Sequence, residues 1–400
     1  MLQKGESVME LKEKIRAAVQ EHTDELLKLS HDIHQNPELG FKEFKAAQWQ
    51  TALLQKYGFD VECPYAGMDT AYRAVFHGKQ PGPRIAILSE YDALAGVGHG
   101  CGHNIIATAA VGAAIGLEAV MDNLPGDLIV LGTPAEEGGG GKINMVENHV
   151  FDDIDCAMMM HPSTKNLIGR GGLASVSFFV EYFGKAAHSS APDTGINALT
   201  AVINLFNGID VMRQTWRSEA KISGIITSGG TASNVIPEYA AAEFTVRAKT
   251  RQYLMIMVED LTRIAETAAK MIGATVKMGF DHAPYAERYP NHAMGEVFKA
   301  NMEALGEVMH YPDPNLSMGS SDIGNVSIVV PAIHEYLSIA PESVNSHSLD
   351  FCQAAISPRG DQIVLLAAQG LAMTGYDILT DEGLRKKIRQ EFEETVPQDA

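Results

Sequence analysis

Cysteine is scarce in this chain: there are four in 400 residues, Cys63, Cys101, Cys156 and Cys352, with no framework spacing. That excludes a disulfide-stapled scaffold and predicts reduced thiols in a cytoplasmic protein. Basic residues are also few, 31 Lys and Arg against 50 Asp and Glu, for a net charge of −19. Nucleic acid and anionic membrane surfaces both require basic patches, so neither is expected as a partner. The first residues carry no apolar targeting core, no stretch reads as membrane-spanning, and no repeat or low-complexity segment appears. Cytoplasmic is therefore the expected location. The length leaves room for two domains, each with a full core.

The chain does contain metal-ligand chemistry, concentrated in Gly-His-Gly-Cys-Gly-His-Asn at 98–104 and Pro-Ala-Glu-Glu at 134–137. Cys101 and His103 offer a thiolate and an imidazole, flanked by glycines that let the backbone approach an ion closely. Glu136 and Glu137 follow one apolar run and precede Gly138–Gly141; His161 ends another such run, Ala157–Met160. Sulfur, nitrogen and oxygen donors on consecutive strand ends suit Zn or Mn. A spare carboxylate beside a ligand is what a hydrolase uses to deprotonate the attacking water. Each piece also has a plainer reading: a buried Cys beside a helix start, a solvated acid pair, and a structural His at a strand terminus.

Helical spacing runs from residue 8 to about 35 and stops at Asn36-Pro37. Apolar strand candidates follow at 84–89, 127–132, 156–160 and 327–334, separated by helical patterns that include an Ala-rich run at 104–121. This order predicts an α/β domain with a mostly parallel sheet covered on both faces. Ligands gather at the carboxyl ends of such strands, and Asp92, Cys101, His103, Glu136, Glu137 and His161 all follow a predicted strand. Between 172 and 285 the rhythm changes to βαββαβ, with strands at 173–183, 221–228, 239–248 and 274–280 and helices at about 195–213 and 252–272. That is the ferredoxin-like α+β pattern, inserted into a first domain made of 1–171 and 286–400. The returning part carries helices at 292–305 and 358–374 and a polar tail after 380. Met158 to Met160, Met255 and Met257 read as core filler, and His31 and His34 as helix-surface or packing residues.

Taken in order, Glu90-Tyr-Asp92-Ala-Leu94, Cys101-Gly-His103-Asn104, Thr133-Pro-Ala-Glu136-Glu137 and Met160-His161-Pro162 resemble the motifs of the aminoacylase and carboxypeptidase-like metallopeptidases. The likeness is to the amidohydrolase branch that holds aminobenzoyl-glutamate hydrolase, hippurate hydrolase and auxin-conjugate hydrolases. It covers nearly the whole chain, from Pro37-Glu-Leu-Gly-Phe41 through Gly184-Lys-Ala-Ala-His188 and Asn234-Val-Ile-Pro237 to Gly319-Ser-Ser-Asp322 and Asn345-Ser-His347. Two positions depart from the pattern: Ala95 stands where Pro often follows Asp-Ala-Leu, and Asn104 where the auxin-conjugate and hippurate enzymes usually carry Asp. The second departure favours the aminobenzoyl-glutamate and dipeptidase side.

The resemblance implies Cys101, His103, Glu137, His161 and His347 as ligands of one or two Mn or Zn ions. It makes Glu136 the general base and Asp92 the carboxylate that orients the ligands from behind. It also implies that the insert is a lid whose His188 reaches into a partner subunit's site to stabilise the oxyanion, so that the working unit is at least a homodimer. Asn234 and Arg247 match positions that bind the substrate's carboxylate, the Arg through a bidentate fork. The expected activity is metal-dependent hydrolysis of the amide bond of small N-acyl amino acids or dipeptides, aminobenzoyl-glutamate among them. Two rivals stay open. One is the same chemistry on another C–N bond, in an N-carbamoyl compound or aromatic amine. The other is a metal-bound amino-acid- or peptide-binding protein without catalysis, which would have no use for Glu136.

Overall fold

Continuous apolar runs at Ile85–Leu88, Leu128–Leu131 and Cys156–Met160 are buried from end to end, as strands covered on both faces must be. They form the middle of a six-stranded sheet in a computed structural model that describes residues 7–122, 124–313 and 318–397. The strand order is Asp60–Glu62, Tyr72–His77, Pro125–Gly132, Gln80–Ser89, Cys156–Ser163, Ala332–Ser338. The last four run parallel, and the first two are antiparallel additions at one edge. Parallel direction matters because it brings the ends of four strands, and the loops that follow, to one edge of the sheet.

The helix His103–Met121 is buried on almost every side, the pattern of a helix apolar all round. It packs against Pro358–Thr380 and Val8–Glu21. His103–Met121 and Pro358–Thr380 are, against expectation, long and apolar enough to span a bilayer by length and composition, yet both lie mostly buried in the protein. His31 bonds Asp361 at 2.7 Å, and His34 donates from Nε2 to the Cys352 carbonyl at 2.8 Å. Both His residues therefore tie the N-terminal helices to the C-terminal segment.

Three expected elements differ. The helical stretch from 8 to 35 is two helices, Val8–Glu21 and Thr23–Gln35, broken at His22, whose φ of −99° and ψ of 15° leave the helical region. The strand expected at 327–334 starts later and runs further, at Ala332–Ser338, after a short helix Ile323–Ser327 and a turn. Apolar composition alone does not separate a buried helix end from a buried strand. The polar tail holds a helix, Glu382–Thr395, capped by the Asp381 side chain accepting from Leu384 N–H and fixed by one buried residue, Ile388.

The chain divides into two compact units, one of them Gly172–Glu287 together with Gly319–Gly324, the other running up to Gly171 and resuming at Arg288 and again at Asn325. The return falls two residues later than 285–286, and Glu287 is tied to the smaller unit by its Oε2, which accepts the Arg251 N–H at 2.7 Å. The smaller unit has a four-stranded antiparallel sheet in the order Thr275–Phe280, Ala174–Phe183, Tyr239–Ala248, Lys221–Ser228. Alternate residues Ala174, Val176, Phe178, Val180 and Tyr182 are buried and pack, at period two, with the helices Ala198–Met212 and Arg251–Ile272. This is the βαββαβ order of a ferredoxin-like unit.

Candidate metal centre

Each candidate ligand enters from a strand end or the loop after it. The strand Gln80–Ser89 delivers Glu90 and Asp92; Pro125–Gly132 leads to Glu136 and Glu137; His161 lies inside Cys156–Ser163 near its carboxyl end. Cys101 and His103 flank Gly102, whose φ of 75° ends the preceding loop and opens the central helix. A Cβ at Gly102 would stand 2.9 Å from Pro162 Cγ, so only glycine lets this loop lie against the His161 strand. Ala135 and His347 both adopt positive φ, 60° and 62°. That conformation is strained for non-glycine residues, and such strain clusters at functional sites. Glu43 holds the Ala135 loop by accepting the Ala135 N–H at 2.9 Å.

Three overlapping groups result, each with ligand atoms within 4.8 Å of one another: Glu90, His103 and His161; Cys101, Glu137 and His347; and His103, Glu136 and Glu137. Glu137 faces two imidazoles with its two oxygens, Oε1 lying 3.7 Å from His103 Nε2 and Oε2 3.9 Å from His347 Nε2. The five expected ligands and the expected base are thus gathered in one cluster. Glu90 was not among them. Its signal was position alone, the first residue after a buried strand, and it lies 3.6 Å from His103 Nε2.

The polarity of His103 is fixed by its partners. Nδ1 lies 2.9 Å from the Asp92 carbonyl and 3.1 Å from Asp92 Oδ1, both acceptors only, so Nδ1 donates. Nε2 then faces the acids, buried and without a hydrogen-bond partner among the described residues. Asp92 Oδ2 meanwhile accepts the Glu137 N–H at 2.9 Å, so one carboxylate positions two ligand residues. Burial opposes ionising Asp92, but the His103 hydrogen bond and charge hold its carboxyl below the usual range. Burial also opposes charging His103, yet Asp92, Glu137 and Glu90 together raise its pKa well above the usual value. Burial, with Glu137 next, pushes the Cys101 thiol far up, and burial with the nearby His103 lowers His161 to about 4. A thiol and an imidazole that resist ionisation, among clustered acids, fit a site where a cation displaces protons.

That fit has a second support. Glu90 Oε1 is paired with Lys142 Nζ at 2.5 Å, while its Oε2 is buried with no hydrogen-bond partner among the described residues. A buried acceptor left without a partner is costly, and a divalent cation beside Glu90, His103 and His161 would satisfy Glu90 Oε2 and His103 Nε2 together. The thiol, imidazole and carboxylate set matches a transition metal rather than Ca or Mg.

The remaining candidates belong to the smaller unit. His188 is exposed on a short ribbon, Ala187–His188 against Val235–Ile236, with Ser190 N–H donating to its Nδ1 at 3.1 Å. Asn234, also exposed, accepts from Ser189 N–H through its backbone oxygen at 3.0 Å. Arg247 lies on the strand Tyr239–Ala248 and donates from Nη1 to Ser320 Oγ at 2.6 Å. This contact explains why the Gly319–Ser-Ser-Asp322 stretch groups with the smaller unit.

Residues 86–356 match the sequence model of Peptidase family M20/M25/M40. The Xaa-Arg dipeptidase of Mus musculus is 35% identical over 398 residues, covering 96% of this chain and 92% of the relative. A p-aminobenzoyl-glutamate hydrolase chain of Escherichia coli is 28% identical, with 95% and 93% covered. Among solved structures, a dinuclear metal-binding peptidase of Bacillus subtilis shares the fold with a TM-score of 0.68 at 21% identity, covering 90% of this chain and 99% of that one.

Proposed function

The chain belongs to peptidase family M20/M25/M40 and is a metal-dependent hydrolase of amide bonds; we propose that it cleaves dipeptides or small N-acyl amino acids, with Glu136 as general base. The observation that carries this proposal is the placement of Glu136 within 4.8 Å of ligand atoms of both His103 and Glu137. With Cys101, His103, Glu137, His161 and His347 available to hold the ions, a carboxylate there would be free to take a proton from the attacking water.

Cys101, Glu137 and His347 would hold one ion and His103 with His161, faced by Glu90, a second, with Glu137 between them. Mn or Zn suits these donors, and the dinuclear B. subtilis peptidase of the same fold supports two ions. The bound ions supply Lewis acidity, acidifying a water and polarising the scissile carbonyl. Glu136 takes the proton from the attacking water and returns it to the leaving amine as the C–N bond breaks. Because the Ser190 N–H can only donate, His188 Nδ1 accepts and its ring proton sits on the exposed Nε2. That is the donor a developing oxyanion needs. Arg247 and Asn234 would receive the substrate's carboxylate.

His188 acts, in this proposal, on the site of the other copy in a cytoplasmic homodimer. The edge strand Lys221–Ser228 exposes Ile225 and Ile226, and the neighbouring helix exposes Ile203 and Val211. Such apolar groups beside a strand that pairs on one side only among the described residues are suited to a self-complementary contact. The substrate class rests on the two relatives, one a dipeptidase and one an aminobenzoyl-glutamate hydrolase. A hydrolysis panel tests it: dipeptides ending in Arg, aminobenzoyl-glutamate, hippurate and an N-carbamoyl amino acid, each with Mn and with Zn. Turnover confined to the carbamoyl compound would contradict the amide assignment.

A further inference from the structure

Beside the metal cluster lies a second imidazole wired in the opposite sense to His103. His334, on the strand Ala332–Ser338 next to the strand of His161, is buried, and its ring centroid lies 5.3 Å from that of His161. Its Nδ1 is 2.5 Å from Arg288 Nη1. A guanidinium has donors only, so Nδ1 must accept, and the one ring proton is left on Nε2. His334 Nε2 is buried without a hydrogen-bond partner among the described residues. It is therefore an N–H aimed away from Arg288 with no acceptor among those residues, and it cannot serve as a metal ligand.

Arg288 itself bonds neutral acceptors. Besides His334, it donates from Nε to the Arg170 carbonyl at 2.9 Å and from Nη2 to the Gly171 carbonyl at 2.8 Å and Tyr336 Oη at 2.9 Å. Among the described residues none of its hydrogen bonds goes to a carboxylate, although it is only 8% exposed. A buried guanidinium whose hydrogen bonds all go to neutral groups, with only Glu335, an acid that burial raises to about 7, in range of its charge among the described residues, produces a field that favours an anion nearby. The imidazole between Arg288 and the His161 side passes that field on to its own N–H. The contrast with His103 is complete: an acid behind His103 leaves a lone pair for a cation, and a base behind His334 leaves a proton for an anion.

We propose that the Nε2–H of His334, its proton fixed there by Arg288, donates a hydrogen bond to an anionic oxygen of the substrate bound beside His161. The oxygen belongs either to the substrate's carboxylate or to the tetrahedral oxyanion, and the kinetics separate the two. This rests on the hydrolase assignment above. His334→Asn keeps an acceptor for Arg288 and loses the distal donor, whereas His334→Gln places an amide N–H near the position of Nε2.

With metal content per protomer unchanged, His334→Asn should lower kcat/KM by about 10²-fold, and His334→Gln should recover most of that loss. A loss in KM assigns the carboxylate; a loss in kcat assigns the oxyanion. Two-bond 1H–15N correlations on Zn-loaded, histidine-labelled protein should show the His334 proton on Nε2, independently of any substrate. A proton on Nδ1, equal losses in the Asn and Gln variants, or no loss in either overturns the proposal. If Glu136→Gln abolishes turnover while His334→Asn does not, the hydrolase assignment stands and this inference fails. If no amide is cleaved by the wild type, the assignment fails and the ring-proton measurement still decides whether Arg288 sets the tautomer.

Discussion

Lys142 and Glu90 form an ion pair in which neither side chain is exposed, with Nζ 2.5 Å from Oε1. Lys142 lies on the helix Gly141–Glu147 directly after the Gly138–Gly141 run, so the glycine-rich turn that presents Glu136 and Glu137 also delivers the cation that balances Glu90. Removing one member of a buried pair leaves the other uncompensated, at a cost of about 3–5 kcal/mol. Lys142→Met should therefore destabilise the protein by that order in chemical denaturation. The double variant Lys142→Met, Glu90→Leu should regain much of the loss. A single variant as stable as wild type would show that the pair contributes little.

Asp92 accepts from His103 on one oxygen and from the Glu137 N–H on the other. Asn in its place can accept only one of these bonds. Asp92→Asn should weaken metal affinity by about 10–100-fold, the usual loss for an outer partner of a ligating His. Competition against a Zn chelator measures it. Unchanged affinity would mean that Asp92 does not orient the ligands.

Burial raises Glu335 to about 7 from the usual 4.5, and its Oε2 accepts the Gly169 N–H at 2.8 Å. Between those two values the native acid holds a proton that the unfolded chain has released. Its contribution to stability is therefore full below the unfolded value and is lost as pH rises through the native value. Glu335→Gln retains an acceptor for Gly169 and cannot ionise. Urea unfolding at pH 5 and pH 8 should show the variant gaining on wild type at the higher pH, because only the wild type must bury a charge there. A difference independent of pH would rule out a raised Glu335.

Gly102 tests the loop geometry. A Cβ would lie 2.9 Å from Pro162 Cγ and would meet a φ of 75°. The left-handed conformation alone costs an L residue about 1–2 kcal/mol. Gly102→Ala should shift Cys101 and His103 away from His161 and lower metal content at a fixed free-metal concentration. Full occupancy would mean that the loop can give way.

Much of this centre was legible in the chain because its donors follow buried strands, where an apolar run ending in Glu136-Glu137 or His161 is visible without coordinates. The ferredoxin-like order was visible for the same reason, as period-two strands such as Ala174–Phe183 alternated with long helical patterns. What escaped depends on pairing across the chain. Glu90 gains meaning from His103, His161 and Lys142, and His334 from Arg288, 46 residues away. Neither relation leaves a local pattern. The strand start at Ala332 was also misplaced, since Ser327 to Pro331 is apolar enough for either element.

The central claim is that Glu136 moves the proton while its neighbours hold the ions. Glu136→Gln preserves size and removes proton acceptance. Measured with metal content per protomer on the same sample, turnover of the preferred amide substrate should fall by about 10²-fold or more at unchanged occupancy. Near wild-type turnover at equal metal content would contradict the account.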